Sequence, residues 1–152
     1  MWGVINAQRK CDDYWRAQQE RRWAKDVENY RSVDNSELRV GIMGLGVMGG
    51  AAADLLSEAG YQVACWTRTP HDRDGITCFH GMTELQQFVG TTDVLVCLLP
   101  LTSSTRGLIN AELLGWLPKG ATLINAARGG HVIEGDLLAA LDAGQVRTVL
   151  PS

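Results

Sequence analysis

The stretch RVGIMGLGVMGG, residues 39–50, decides the fold, because its apolar run leads into Gly44, Gly46 and Gly49. Between a strand and a helix, glycines at this spacing form the turn that binds a dinucleotide pyrophosphate. The first permits a tight turn, the second lets the backbone approach the ligand, and the third lets the helix pack closely on the strand. The helix N-terminus adds N–H groups and a partial positive charge. This stretch therefore predicts a dinucleotide-binding βαβ unit.

Strand and helix patterns alternate along the chain around this turn. Strands are predicted at 37–43, 62–66, 75–79, 93–99, 121–125 and 145–150, and helices at 49–59, 82–88, 111–117 and 134–143. Such alternation predicts an α/β fold, namely a Rossmann-type doubly wound sheet with mostly parallel strands.

The first 25 residues carry apolar side chains at helical spacing, so we expect one amphipathic helix that ends near Trp23. A polar linker is expected at 26–36. Residues 1–36 would then be helix and linker, and residues 37–152 a dinucleotide-binding domain that is incomplete at its C-terminus.

Composition narrows the functional class. The chain has 152 residues and a net charge of −3, which gives no reason to expect nucleic acid or an anionic membrane as a partner. The apolar run at 94–101 is far shorter than the ~20 residues that span a bilayer. The cysteines show no C-x-x-C pair, and Cys65 and Cys97 lie in strand-like runs, so we interpret these two as core residues in a reducing compartment. We expect a cytoplasmic protein and no metal site.

The end of the second predicted strand bears on the type of cofactor. An NAD site usually has an acidic residue there, whereas an arginine suits the 2′-phosphate of NADP. Residues 65–70 read CWTRTP, and the first acidic residue is Asp72. Thr67 and Thr69 offer hydroxyl groups, and Arg68 can bind a phosphate with two N–H groups. The segment favours NADP over NAD, and the alternative is that Arg68 is an ordinary solvated residue.

With these motifs together, the chain resembles the D-isomer-specific 2-hydroxyacid dehydrogenases, and within them the reductases of glyoxylate and hydroxypyruvate. The resemblance rests on residues 41–49, 65–69, 98–110, 117–129 and 136–144. The 3-hydroxyisobutyrate and 6-phosphogluconate dehydrogenases share the first two motifs. They usually carry a Ser/Thr-rich segment after the fifth strand, where this chain has NAARG, so the first family is favoured.

The resemblance implies an NADPH-dependent oxidoreductase and a set of site residues. The residues implied to bind the cofactor are Gly44, Gly46, Val47, Met48, Gly49, Thr67, Arg68, Thr69, Leu99, Pro100, Thr105, Ala126 and Arg128. Arg128 is also the expected catalytic residue, since a guanidinium can bind the carboxylate and ketone of a 2-oxo acid and polarise the carbonyl for hydride attack. We expect His131 to be structural.

The family pattern continues with a Glu and a His that supply a proton, and with a substrate domain, none of which this sequence contains. We therefore expect a truncated or frame-altered chain that binds NADPH and has little activity alone. The alternative is a nicotinamide-binding interaction module. Trp2, Trp15 and Trp23 motivate it, because they either pack on the sheet domain or contact a second chain or another domain, and the second option suggests a homodimer formed through the first helix.

Overall fold

The structure is a computed structural model that describes residues 1–25, 33–71 and 73–150. Its strands are β1 (Arg39–Met43), β2 (Gln62–Thr67), β3 (Thr77–His80), β4 (Val94–Cys97), β5 (Ala121–Asn125) and β6 (Val146–Leu150). Its α-helices are α1 (Trp2–Arg9), α2 (Cys11–Gln19), α3 (Val47–Glu58), α4 (Gly81–Gly90), α5 (Ala111–Trp116) and α6 (Glu134–Asp142). Among the described residues, no helix is both long and apolar enough to cross a bilayer.

The strands form one six-stranded sheet in the order β3-β2-β1-β4-β5-β6, and every neighbouring pair is parallel. The chain leaves β1 in one direction across the sheet and, after β3, returns to the other side of β1. In open parallel sheets, ligands bind at the carboxyl ends of the strands at such a reversal point. The predicted Rossmann-type fold is confirmed, and its reversal point lies between β1 and β4.

Apolar side chains on both faces of the sheet explain why β1 and β4 are central. Ile42 packs on one face with Leu56 of α3, while the next residue, Met43, packs on the opposite face with Phe88 of α4. All four residues of β4 are buried, as expected for a parallel strand covered by helices on both sides. Burial raises the pKa of the Cys97 thiol, which lies in this core.

The prediction of a single N-terminal helix is wrong. Two helices, α1 and α2, meet at Lys10, whose φ of 51° and ψ of 44° lie in the left-handed region. The turn at Lys10 places both helices against β6, where Arg147 donates to the Ala7 carbonyl of α1 and to the Asp12 carboxylate of α2. Val4 of α1 is buried against the α3 side of the sheet, whereas Asp12 of α2 accepts hydrogen bonds from Arg147 and Thr148 of β6.

The predicted linker also differs in part. Residues 26–32 lie outside the described residues. Asn35–Glu37 forms a short 3₁₀ helix, in which Asp34 and Glu37 cap each other's backbone N–H groups. A reciprocal cap of this kind fixes the chain direction immediately before β1.

Polar contacts close the amino edge of the sheet, where β1 and β4 begin. Arg39 donates to the carboxylate of Asp93 through Nε at 2.8 Å and Nη2 at 2.5 Å. Nearby, Gln8 of α1 is 8% exposed, accepts from the Tyr61 hydroxyl at 2.8 Å and donates to Asn35 Oδ1 at 3.0 Å. These bonds satisfy buried polar groups and hold α1 against the strand ends.

Candidate functional site

The turn after β1 has the backbone geometry that only glycine adopts readily. Gly44 has a φ of +99°, and its amide donates to the carbonyl of Trp66 in β2 at 2.9 Å. A Cβ at this position would lie 3.1 Å from the carbonyl oxygen of Leu98. Gly44 therefore makes a tight turn beneath the ends of two neighbouring strands.

Gly49 and Gly46 serve different purposes in the same turn. A Cβ on Gly49 would lie 2.9 Å from the carbonyl carbon of Gly44 and closer still to its oxygen, whereas real Cβ atoms essentially never come under 3.0 Å. A Cβ on Gly46 would meet nothing within 4 Å. Gly49 thus permits close packing of α3 on the turn, and Gly46 leaves open space in front of it. The residues present fit a pyrophosphate in that space.

The first turn of α3 faces this open space without a side-chain cap. The N-cap residue, Gly46, has no side chain to bind the first N–H groups, and the first turn contains no acidic residue. The side chains of Val47 and Met48 are 94% and 69% exposed. A helix N-terminus with free N–H groups and no local negative charge is suited to an anion.

The end of β2 and the turn after it place the positively charged side chain of Arg68 beside the loop after β4. Arg68 is exposed, and its Nη1 donates to Ser104 Oγ in the loop after β4 at 2.7 Å. Thr67 is 9% exposed, and its hydroxyl donates to the Thr69 carbonyl at 2.8 Å and lies 3.1 Å from His80 Nδ1. The Thr67 hydroxyl therefore shapes the turn, while Arg68 extends along the edge of the site.

The loop after β4 is held by its own hydroxyl groups. Thr105 is buried, donates to the Pro100 carbonyl at 2.7 Å and accepts from the Thr102 amide at 2.8 Å. Leu99 is buried in the core, whereas Pro100 is exposed. Thr105 therefore fixes the loop, and Pro100 forms its surface toward the site.

The loop after β5 presents Arg128 on a fixed backbone. The Arg128 carbonyl accepts from Asn125 Nδ2 at 2.9 Å and lies 2.9 Å from His131 Nδ1. Asn125 Oδ1 also accepts from the Ala127 amide at 3.3 Å. The guanidinium of Arg128 is exposed and donates to the Ala127 carbonyl at 2.9 Å, and the neighbouring Ala126 is exposed as well. Two buried side chains thus position the backbone while the charge stays accessible.

Asn125 and His131 were not predicted to organise this loop. His131 is fully buried, as expected of a structural residue, and its Nε2 has no hydrogen-bond partner in the described part of the chain. A polar amide at the end of a buried strand, as at Asn125, is the sequence signal that points to such a role.

Strand register brings the predicted residues to one edge. Met43 of β1 pairs with Trp66 of β2 and with Cys97 of β4, and Cys97 pairs with Asn125 of β5. The loops that follow these strands therefore leave the sheet at one level. These loops, the last residue of β2 and the first turn of α3 contain all thirteen predicted positions, although the Thr67 and Thr105 hydroxyls bond to neighbouring backbone groups.

An ion pair that was not predicted from the sequence joins the segment after β2 to α3, next to the candidate site. Arg73, which follows β2, donates to Asp54 of α3 through Nε at 2.7 Å and also through Nη2. Its guanidinium lies over Gly50, where a Cβ would meet it at 2.8 Å. The hydrogen bonds from Arg73 hold the pKa of Asp54 below its ordinary value. The contact fastens the segment after β2 to α3.

Known proteins are similar to this chain in sequence. The sequence model described as "D-isomer specific 2-hydroxyacid dehydrogenase, NAD binding domain" matches residues 1–150. The chain is 41% identical over 143 residues to the glyoxylate/hydroxypyruvate reductase A of Yersinia enterocolitica. That alignment covers 94% of this chain and 44% of the Yersinia protein, so this chain spans less than half the length of that relative.

Solved structures share the fold. One is a D-isomer specific 2-hydroxyacid dehydrogenase from Xanthobacter autotrophicus Py2, in complex with NADPH and MES. It superposes with a TM-score of 0.89 at 41% identity, and the alignment covers 98% of this chain and 47% of the Xanthobacter chain. Another is an NADPH-dependent glyoxylate/hydroxypyruvate reductase from Sinorhizobium meliloti, in complex with NADP and sulfate. Its TM-score is 0.88 at 32% identity, and the alignment covers 100% of this chain and 49% of the Sinorhizobium chain. The chain therefore belongs to the D-isomer specific 2-hydroxyacid dehydrogenase family and corresponds to its NAD-binding domain.

Proposed function

We propose that this chain is the NADP-binding half of a reductase that converts a small 2-oxo acid, glyoxylate or hydroxypyruvate, to the 2-hydroxy acid. The observation that carries the cofactor preference is the exposed Arg68 at the end of β2, where NAD-specific sites usually have an acidic residue. Asp72 lies outside the described residues. In this proposal residues 37–152 form the binding domain, and residues 1–36 form the helical segment and linker before it.

The glycine turn would hold the pyrophosphate. The amides of Val47 and Met48 begin α3 and would donate to its oxygens, while Gly44, Gly46 and Gly49 keep the space open. Both amides belong to the backbone and are fixed by the helix, so they need no rearrangement to bind.

The other loops would hold the two ends of the cofactor. Thr67, Arg68 and Thr69 would contact the adenosine ribose and its phosphate. The nicotinamide half would be lined by residues of the loops after β4 and β5: Leu99, Pro100, Thr105, Ala126 and Arg128. When bound, NADPH supplies the hydride for the reduction.

Arg128 would be the catalytic residue. Its guanidinium can donate to a substrate carboxylate and to the neighbouring keto oxygen, which orients the substrate and stabilises the negative charge that develops on that oxygen. The bonds from Asn125 and His131 to the Arg128 carbonyl support this role, because they fix the backbone from which the side chain extends.

We propose further that the chain alone binds NADPH but turns over little substrate. Arg128, the proposed catalytic residue, is exposed, so in the described part of the chain its guanidinium is open to water. Loss of a positioned proton donor typically costs about 10²–10⁴-fold in rate. Reduction of glyoxylate by this chain at the rates of its full-length relatives would contradict this part of the proposal.

Titration with NADPH and with NADH, followed by tryptophan fluorescence, tests cofactor binding. We expect tighter binding of NADPH, loss of that preference in Arg68→Ala, and loss of both cofactors in Gly46→Val. Arg106→Ala is the control, because Arg106 is also exposed but lies farther along the loop after β4. Equal affinities of the unmodified chain for NADPH and NADH would refute the NADP assignment, and no binding of either would refute the function.

A second candidate function is a nicotinamide-dependent interaction module that pairs with a second copy of this chain. It is favoured by the exposure of Trp2, Trp15 and Trp23, which are 73%, 62% and 74% exposed, since aromatic side chains are enriched in interfaces. Sedimentation of the chain with and without NADPH tests it. A dimer whose dissociation constant changes with NADPH supports the module, and a monomer at all concentrations contradicts it.

A further inference from the structure

A continuous series of hydroxyl groups crosses the candidate site from Arg68 to Pro100. Arg68 Nη1 lies 2.7 Å from Ser104 Oγ, and Ser104 Oγ lies 3.0 Å from Thr102 Oγ1. Thr102 Oγ1 lies 3.1 Å from Thr105 Oγ1, which lies 2.7 Å from the Pro100 carbonyl oxygen. The series thus joins the segment after β2 to the loop after β4.

The direction of each hydrogen bond follows from the number of protons available. A guanidinium only donates, a carbonyl only accepts, and each hydroxyl has one proton. Thr105 gives its proton to the Pro100 carbonyl, so Thr102 must donate to Thr105, and Ser104 must donate to Thr102. The Ser104 oxygen is then left to accept from Arg68, and donors aligned in this way strengthen one another.

We infer that Ser104 is a positioning residue for Arg68 and that it contributes to the choice of NADP over NAD; this inference rests on the proposed cofactor function. An exposed arginine carries about 2 kcal/mol of rotamer entropy, part of which is lost when it binds a ligand. The bond to Ser104 restricts Arg68 before the cofactor arrives. It occupies Nη1 and leaves Nε and Nη2 for a phosphate.

Thr102 and Thr105 act through Ser104 in the same way. Thr105 is 7% exposed and is fixed by its bonds to the Pro100 carbonyl and the Thr102 amide, so it gives the series a rigid end. Ser104 itself is exposed, so its replacement changes a side-chain hydroxyl without altering the core.

The test compares NADPH and NADH affinities of the chain and of Ser104→Ala. We expect the NADPH dissociation constant to rise about three- to tenfold, the range for one hydrogen bond at an exposed site, and the NADH constant to stay unchanged. Ser103→Ala is the matched control, since Ser103 is a neighbouring exposed serine outside the series, and it should leave both constants unchanged. Ser104→Thr retains the hydroxyl and should restore NADPH affinity.

A second arm shows whether Ser104 acts through Arg68. In the Arg68→Ala background, Ser104→Ala should have no further effect on NADPH binding, because the group that it positions is gone. An equal effect in both backgrounds, or a parallel loss of NADH affinity, would overturn the inference. If the unmodified chain does not prefer NADPH, the proposed cofactor fails; if it does and Ser104→Ala leaves the preference intact, only the role of Ser104 fails.

Discussion

Two alanine substitutions in the glycine turn should separate the folding of this domain from its binding of a dinucleotide. In Gly49→Ala the new Cβ meets the carbonyl group of Gly44 at a distance under 3.0 Å, which real Cβ atoms essentially never show. In Gly46→Ala the new Cβ meets nothing within 4 Å. The two variants add the same methyl group at positions that are three residues apart. A difference in their stability or affinity therefore reports on what surrounds each methyl group.

The expected magnitudes follow from those surroundings. The group that obstructs residue 49 is backbone, so α3 must move away from the turn, and we expect the upper part of the usual overpacking cost, about 3 kcal/mol. For a domain of this size that lowers Tm by roughly 6–12 °C. At Gly46 the φ of −64° suits alanine. There the weaker N-cap and the reduced entropy of the unfolded chain nearly offset, so stability should stay within about 1 kcal/mol.

Ligand affinity should follow the opposite pattern. The methyl group of Gly46→Ala occupies the space through which the backbone approaches a pyrophosphate, so NADPH affinity should fall by more than about tenfold, or about 1.4 kcal/mol. Thermal unfolding followed by circular dichroism and NADPH titration by fluorescence measure the two effects. If Gly46→Ala unfolds as early as Gly49→Ala, or binds NADPH as tightly as the unmodified chain, our interpretation of the turn is wrong.

Three further predictions concern contacts around the sheet. Burial raises the pKa of Asp12, but the charge and hydrogen bonds of Arg147, with a hydrogen bond from Thr148, outweigh burial and hold this pKa below its ordinary value of 3.8. The ionised Asp12 carboxylate therefore stabilises the fold fully above pH 3.8, and this stabilisation is lost as the pH falls through the lower pKa of the folded state. Asp12→Asn should remove this part of the pH dependence of urea unfolding. Gln8→Leu leaves the buried Tyr61 hydroxyl without its acceptor and should cost about 2 kcal/mol in urea unfolding, whereas a cost under about 0.5 kcal/mol would mean that water replaces it. Asn125→Ala removes a donor to the Arg128 carbonyl and the acceptor for an amide, and should destabilise by about 1–3 kcal/mol; Asn125→Asp keeps the acceptor but sets a buried carboxylate oxygen against that carbonyl, so it should cost at least as much, and a smaller cost would contradict this.

Local patterns were enough to predict the central part of the fold. The glycine spacing predicted the βαβ unit, and continuous apolar runs predicted β1 and β4, because a parallel strand covered on both faces needs apolar residues throughout. The edge of the sheet that carries the candidate site followed from the same patterns. In a parallel sheet, all segments after the strands must meet at one edge.

Contacts between distant residues could not be predicted in this way. The two helices that meet at Lys10 both contact Arg147, which binds Ala7 and Asp12 from more than a hundred residues away in sequence. Helical spacing within residues 1–25 carries no information about β6, so it favoured one continuous helix.

The polar groups of the site show the same limit. Residues 102–105 read TSST, but the direction of the hydrogen-bond series that begins at Arg68 requires the distances between atoms. The bond from Asn125 to the Arg128 carbonyl likewise depends on how the chain turns after β5. Periodicity reports which face of an element is buried, and it does not report which polar atoms meet.

The contrast between the two edges of the sheet has a consequence for how this domain can change. At the amino edge, the pair formed by Arg39 and Asp93 and the contacts of Gln8 consist of mutually satisfied partners, so a substitution there is felt by the fold. At the carboxyl edge, Val47, Arg68 and Arg128 extend into solvent and support little of the core. Substitutions of these exposed side chains can therefore alter which molecule is recognised while the stability of the fold changes little. Selection or design for a new cofactor preference would find tolerated variation concentrated there.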